Sequence, residues 1–240
     1  MYSTTDLVSS SADSFSGMLD ADGFTTAIDP FASVLGSAPP AYEVTKRVAS
    51  VDKAFNLTPA ESNDLSLQMQ ATHMVNGADS AGIGVDEIGA SGRADLGTAN
   101  FLLTDSPLST LSALGLSVEA SGVHSDSNSS IVFGPNGGFL AGDASFHSLT
   151  VAGSLVGGRT LTFSGDAAAN TVLYSSSTVT ITLDAQTLLL PPAAASGAIG
   201  PSITTDAIDI RFNDAKFGGH TIFGDFAIGQ SSASCALMQA

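Results

Sequence analysis

The chain has 240 residues, 43% of them hydrophobic, which is enough for one large β domain and too apolar for wholesale disorder. Charged residues make up only 12%, and seven Lys and Arg stand against 23 Asp and Glu, giving a formal net charge of −16. That balance excludes a nucleic-acid partner, which needs a basic surface, and disfavours an anionic membrane surface for the same reason.

In chain order, residues 1–60 read as an irregular N-terminal arm. It carries the proline-bearing run "IDPFASVLGSAPPAYEV", with short strand candidates at Phe31–Leu35 and Tyr42–Val51. Val44, Val48, Val51 and Phe55 give the second of these a partial helical spacing as well, so strand and short helix both stay open there.

From Leu65 onward the pattern has period two. Leu65, Leu67, Met69 and Ala71 alternate with polar residues, as do Leu116, Val118 and Ala120, and then Val179, Ile181 and Leu183. Further strands are expected around Phe146–Val151, Leu161–Phe163, Ile203–Phe212 and Ile222–Ile228. Turn signals separate them: "GPNGG" at 134–138, "GG" at 157–158, "PPAAASG" at 191–197 and "GG" at 218–219. The spacing, with no long helical pattern between strands, predicts an all-β fold. The expected form is an antiparallel β-sandwich or jelly-roll-like body over 61–240, with the arm over 1–60. With no Trp and a core drawn from Ala, Val and Leu, the body should be thin and close-packed, as between two facing sheets.

Three stretches resemble the choice-of-anchor P family of prokaryotic surface proteins, over roughly Leu65 to Cys235. They are "LSALGLSVEASGVHSDSNSS" (111–130), "ASFHSLTVAGSLV" with "AAANTVLYSSSTVTITLDAQ" (144–186), and "TTDAIDIRF" with "GDFAIGQSSASC" (204–235). The resemblance implies an all-β extracellular domain displayed or released by bacteria, and it brings no catalytic residues. Neither end of the sequence shows an anchor, which points to assembly or release rather than attachment. "MYSTTDLVSS" lacks the basic start and apolar run of a signal peptide, and no stretch of 18 or more apolar residues would span a membrane.

Chemistry-bearing motifs are sparse. There is no nucleophile elbow, no H-E-x-x-H and no phosphate-binding loop. "GIGVDE" at 82–87 lacks the third glycine of a dinucleotide fingerprint and reads as a loop. His73, His124, His147 and His220 are scattered singly, and Cys235 reads as a small buried side chain. "DADG" at 20–23 is no EF-hand loop. Asp206, Asp209, Asp214 and Asp225 fall near one expected hairpin and are the candidate calcium ligands. Asn56 and Asn128 open N-x-[ST] triplets.

The composition and the resemblance together predict a secreted, non-enzymatic structural protein. It is expected to form a homo-oligomer or polymer, with the arm residues Phe24, Ile28, Phe31, Val34 and Leu35 pairing with an open sheet edge of the next subunit. The second class is a monomeric adhesin or carbohydrate-binding module with an extracellular glycan as partner. The absence of Trp and the presence of only three Tyr count against it.

Overall fold

The computed structural model describes residues 7–29, 32–38, 41–59, 65–81, 87–105, 113–132, 138–190 and 201–236. Phe31, the 191–197 turn and most of the 134–138 and 82–87 turns lie outside them. Thirteen strands follow one another: β1 (Leu7–Ala21), β2 (Phe24–Ile28), β3 (Val34–Ala38), β4 (Glu43–Asn56), β5 (Leu65–Ala81), β6 (Glu87–Asp105), β7 (Ala113–Val132), β8 (Gly138–Gly153), β9 (Arg159–Ala167), β10 (Thr171–Ser175), β11 (Val179–Leu189), β12 (Ser202–Phe217) and β13 (His220–Ala236). A single turn of 3-10 helix at Ser154–Val156 is the only helical element among the described residues. No helix there is long and apolar enough to cross a membrane.

The strands form two antiparallel sheets. One is a plain meander of six strands, β4 through β9 in sequence order. The other runs β10-β11-β12-β13-β1-β2, with β3 also pairing β1. The expected sandwich is therefore present, built from meanders, with the first and last strands of the chain closing the second sheet side by side. β13 packs over β6 and β7, β1 over β5 and β6, and β12 over β7 and β8.

Residues 1–60 are not an irregular arm. β1 lies between β13 on one side and β2 and β3 on the other, and puts Phe15 and Leu19 into the core. β4 pairs β5 from Glu43↔Asp79 to Asn56↔Ser66, so both sides of residue 60 share one sheet. The prolines of this stretch hid the strands, because a proline in the sequence argues against a central strand. The Asp22-Gly23 pair closes the β1–β2 hairpin with φ of 52° and 86°, the positive angles that a two-residue hairpin turn demands.

One line of irregularity crosses both sheets. β1, β5, β6, β7, β8, β11, β12 and β13 shift their inward parity by one residue there. β7 faces Leu116, Val118 and Ala120 inward, then Val123, Ser125, Ser127 and Ser129; β5 faces Leu67, Met69 and Ala71 inward, then Met74, Asn76 and Ala78. His73, Gly122, Gly165, Asp184 and Gly229, all at positive φ, sit on this line. Because neighbouring strands make the step together, pairing resumes beyond it.

The line divides the core in two. One half is filled with bulky side chains, among them Phe15, Leu67, Met69, Phe101, Leu103, Val118, Ile210 and Phe226, with Phe101 and Phe226 ring centroids 4.8 Å apart. The other half is a seam of small and hydroxylated residues: Ala12, Ala78, Ala90, Ala94, Ser125, Ser127, Ser129, Thr205, Ser231 and Ala233. There the hydroxyls bond across the sandwich. Ser125 Oγ lies 2.7 Å from Ser231 Oγ, Ser127 Oγ lies 2.9 Å from Thr205 Oγ1, and Ser129 Oγ donates to Pro201 O at 3.0 Å. Buried polar groups are tolerated because each finds a partner. Cys235 belongs to this seam, fully buried with its Sγ 3.1 Å from Ser129 O.

Candidate functional site

Among the described residues four places bear on function: the open edges of the six-stranded sheet, the carboxylates of β12 and β13, a mixed His/Asp cluster on the outer face of the six-stranded sheet, and a shallow groove on that same face.

β4 and β9 are the outer strands of that sheet, each paired on one side only. β4 is 14 residues long and mostly exposed, with Val48, Val51 and Phe55 half-buried against the core. It carries Lys46, Arg47 and Lys53, three of the chain's seven basic residues, against Glu43 and Asp52. It is thus net positive on a strongly acidic molecule. β9 exposes Arg159, Thr160, Thr162 and Asp166 and half-buries Leu161 and Phe163. Charged side chains on edge strands are a usual guard against uncontrolled pairing, and complementary charges can turn the same edge into a selective one.

The arm residues expected to reach a neighbour are used within the chain. Ile28 is 2% and Val34 5% exposed, both packed into their own core, whereas Phe24 is 43% and Leu35 73% exposed. β2 and β3 pair with β1 of the same chain, so the arm does not stand free to join subunits.

The four expected calcium ligands do not converge. Asp206 accepts from Gln230 Nε2 at 2.7 Å, and burial pushes its carboxyl up to about 6. Asp209 is buried beside Arg211, whose Nε donates to Asp209 Oδ2 at 2.7 Å; desolvation raises its pKa against the pull of that guanidinium. Asp225 pairs in register with Arg211. The cation that Asp209 bonds is therefore an arginine. Asp214 lies within a register shift between Phe212 and Ala215, at φ 55°, and accepts from Lys216 Nζ at 2.7 Å.

Sequence reading missed a different cluster. His124 and Asp126 lie two apart on β7 and so face the same side, while Ser125 between them points inward and bonds Ser231 Oγ and Thr205 O at 2.7 and 3.0 Å. Asp95 on β6 is the register partner of His124, and Asp143 on β8 is the register partner of Asp126. His124 Nδ1 lies 2.7 Å from Asp95 Oδ1, and Nε2 lies 3.7 Å from Asp143 Oδ2. Arg93, the register partner of Asp126, donates both its hydrogen bonds to Asp95, at 2.6 and 3.2 Å, and also feels the charge of Asp126. The hydrogen bond that His124 donates to Asp95 raises the His124 pKa against the effect of burial. Burial raises Asp126, reinforced by the like charge of Asp143 and opposed by Asn128. The legible signal was H-x-D in a period-two strand, followed by the turn-type sequence "GPNGG" before the next strand.

The other histidines differ. His220 Nδ1 bonds Asp22 Oδ2 at 2.7 Å across the sheet end, and His73 occupies the line of irregularity at φ 52°. A shallow groove on the outer face of β5, β6 and β7 is lined by Gln68, Gln70, Asn100, Leu102, Ser117 and Glu119. It has hydrogen-bonding amides and no aromatic side chain exposed for a sugar to stack on. Asn56 is exposed at the end of β4, and Asn128 is half-buried on β7.

No family model, no curated protein and no solved structure matches this chain.

Proposed function

We propose that the protein is a secreted structural protein of the bacterial surface that assembles with copies of itself, joining β4 of one copy to β9 of the next. The observation that carries this reading is the pair of open edges at either end of a six-stranded meander. Because the strand number is even, β4 and β9 run in opposite directions. A copy moved sideways without rotation then presents its β4 antiparallel to the first copy's β9. The contact is heterologous and repeats without closing, which is the geometry of a fibre. Main-chain hydrogen bonds supply affinity, as in other strand additions. Lys46, Arg47 and Lys53 supply selectivity, because β4 meets an otherwise acidic molecule.

The absence of a nucleophile–base pair among the motifs, and the low charge, support a non-enzymatic role; the loose resemblance to choice-of-anchor P proteins supports the surface setting. The amide-lined groove supports the second reading, a glycan-binding module. Electron micrographs of the purified protein distinguish the two: extended particles support the first, and dispersed single particles that bind a glycan array support the second.

A further inference from the structure

We propose that His124 Nε2 and the carboxylates of Asp126 and Asp143 form a site for a divalent transition metal, with Asp95 as the group that orients His124. The site lies on β7 and β8, one strand in from the β9 edge, and is inferred independently of how copies join.

The backbone brings the ligands together. His124 and Asp126 project from alternate positions of β7, and Asp143 stands opposite Asp126 on β8, so three ligands of one face come from two paired strands. One ligand atom from each of the three lies within 4.8 Å of the others. The anchor is firm, since Ser125 between the two β7 ligands is pinned to Ser231 and Thr205 in the seam beneath.

The chemistry then selects the occupant. Asp95 accepts from His124 Nδ1 at 2.7 Å, which fixes the proton there in the neutral imidazole and leaves the Nε2 lone pair facing the carboxylates. Three acceptors that face one another repel unless a proton or a cation lies between them. Arg93 does not fill the place, because both its bonds go to Asp95. A histidine whose other nitrogen is held by a carboxylate is the arrangement that metal-binding imidazoles adopt, and the carboxylate raises the basicity of the ligand. One nitrogen and two carboxylate oxygens suit zinc or a similar first-row ion, and suit calcium poorly because calcium prefers oxygen ligands alone. With three protein ligands the fourth position stays open to water or to a group from outside.

Isothermal titration calorimetry with zinc chloride, run on the full chain after treatment with chelator, tests the site. One zinc per chain is expected. Asp126→Asn with Asp143→Asn should abolish the saturable phase, and His124→Ala should weaken it at least about tenfold. Asp95→Asn should weaken it by about 10–100-fold while leaving the ligands in place, as loss of an orienting partner does. Calcium at equal concentration should leave the zinc isotherm unchanged. All four residues lie on the outer face, so circular dichroism should show each variant folded, and His220→Ala serves as a histidine variant that leaves zinc uptake intact. Absence of saturable zinc uptake by the folded wild-type chain would overturn the proposal. So would uptake that survives both His124→Ala and the double asparagine variant, or uptake lost on His220→Ala instead.

Discussion

Gly92 of β6 sits directly against the backbone of β1 and β13 in the facing sheet. A Cβ there would fall inside contact distance of the carbonyl oxygens of Ser11 and Ser232, both backbone atoms that cannot swing aside. Gly92→Ala should therefore lower stability by about 1–3 kcal/mol, the usual cost of overpacking, as read from urea or thermal unfolding. In the same seam Ser127 Oγ lies 2.9 Å from Thr205 Oγ1, 3.0 Å from Ser231 Oγ and 3.1 Å from Ser231 O. Ser127→Ala leaves those partners short of a bond inside the sandwich and should cost about 1–3 kcal/mol. Both costs arise in the narrow half. In the bulky half the mechanism changes to cavity formation, and Phe101→Ala or Phe226→Ala should cost about 3–5 kcal/mol.

Two carboxyl groups on β11 and β12 make stability fall as pH rises. Burial pushes Asp184 and Asp206 up to about 6, against an ordinary value of 3.8. Gln186 and Gln230 donate to them and offset only part of that shift. In both, the folded state holds its proton to higher pH than the unfolded chain, so it binds more protons between about pH 4 and pH 6. Stability is then greatest near the lower end of that window and declines as pH passes through the folded values. The decline should amount to about 1–3 kcal/mol for each group. Asp206→Asn should remove its share and flatten the profile measured by denaturant midpoints from pH 4 to pH 8. A rise in stability across that range in the wild-type chain would contradict the assignment.

At the scale of elements, β1 governs the second sheet. It carries Phe15, Leu19 and Ala21 into the core and is flanked by β13 and by β2 and β3. Removing residues 1–40 should therefore abolish cooperative unfolding, as seen in a melting curve, rather than yield a folded chain without an arm. Period-two alternation made β5, β7, β11 and β13 legible in the sequence because each keeps one parity for several residues, as Leu65 to Ala71 does. The strands ran on past the visible pattern. At the line of irregularity the parity flips, so β7 continues from Ala120 through Gly122 to Ser129 although its apolar alternation ends. Beyond the line the inward residues are serine and alanine, which read as loop or surface when no partner sheet is in view. β1 was hidden for that reason, because its inward face runs Ser10, Ala12, Ser14 before Phe15. The His124 cluster was hidden for another: Asp95 and Asp143 come from separate strands, and only the pairing of β6 with β7 and of β7 with β8 sets them beside His124 and Asp126.

At the scale of the whole molecule, the account rests on the six-stranded meander continuing from one copy to the next. Thr162 is exposed on the outer face of β9, the face that Arg47 takes on β4, while Lys46 and Lys53, register partners of the buried Asn76 and Met69, lie on the other face of that edge. Salt screens such charges over a range of roughly 10 Å at 0.1 M. The direct measurement is sedimentation velocity of four proteins at low and moderate salt. They are the wild type, Thr162→Lys, the triple change Lys46→Glu, Arg47→Glu and Lys53→Glu, and the combination of all four substitutions. The account predicts that the wild type sediments as a polymer, that Thr162→Lys and the triple variant each shift the distribution towards monomer, and that the combination restores polymer because the two edges then carry opposite charge. A wild type that stays monomeric under every condition, or polymers indifferent to all four substitutions, would contradict it.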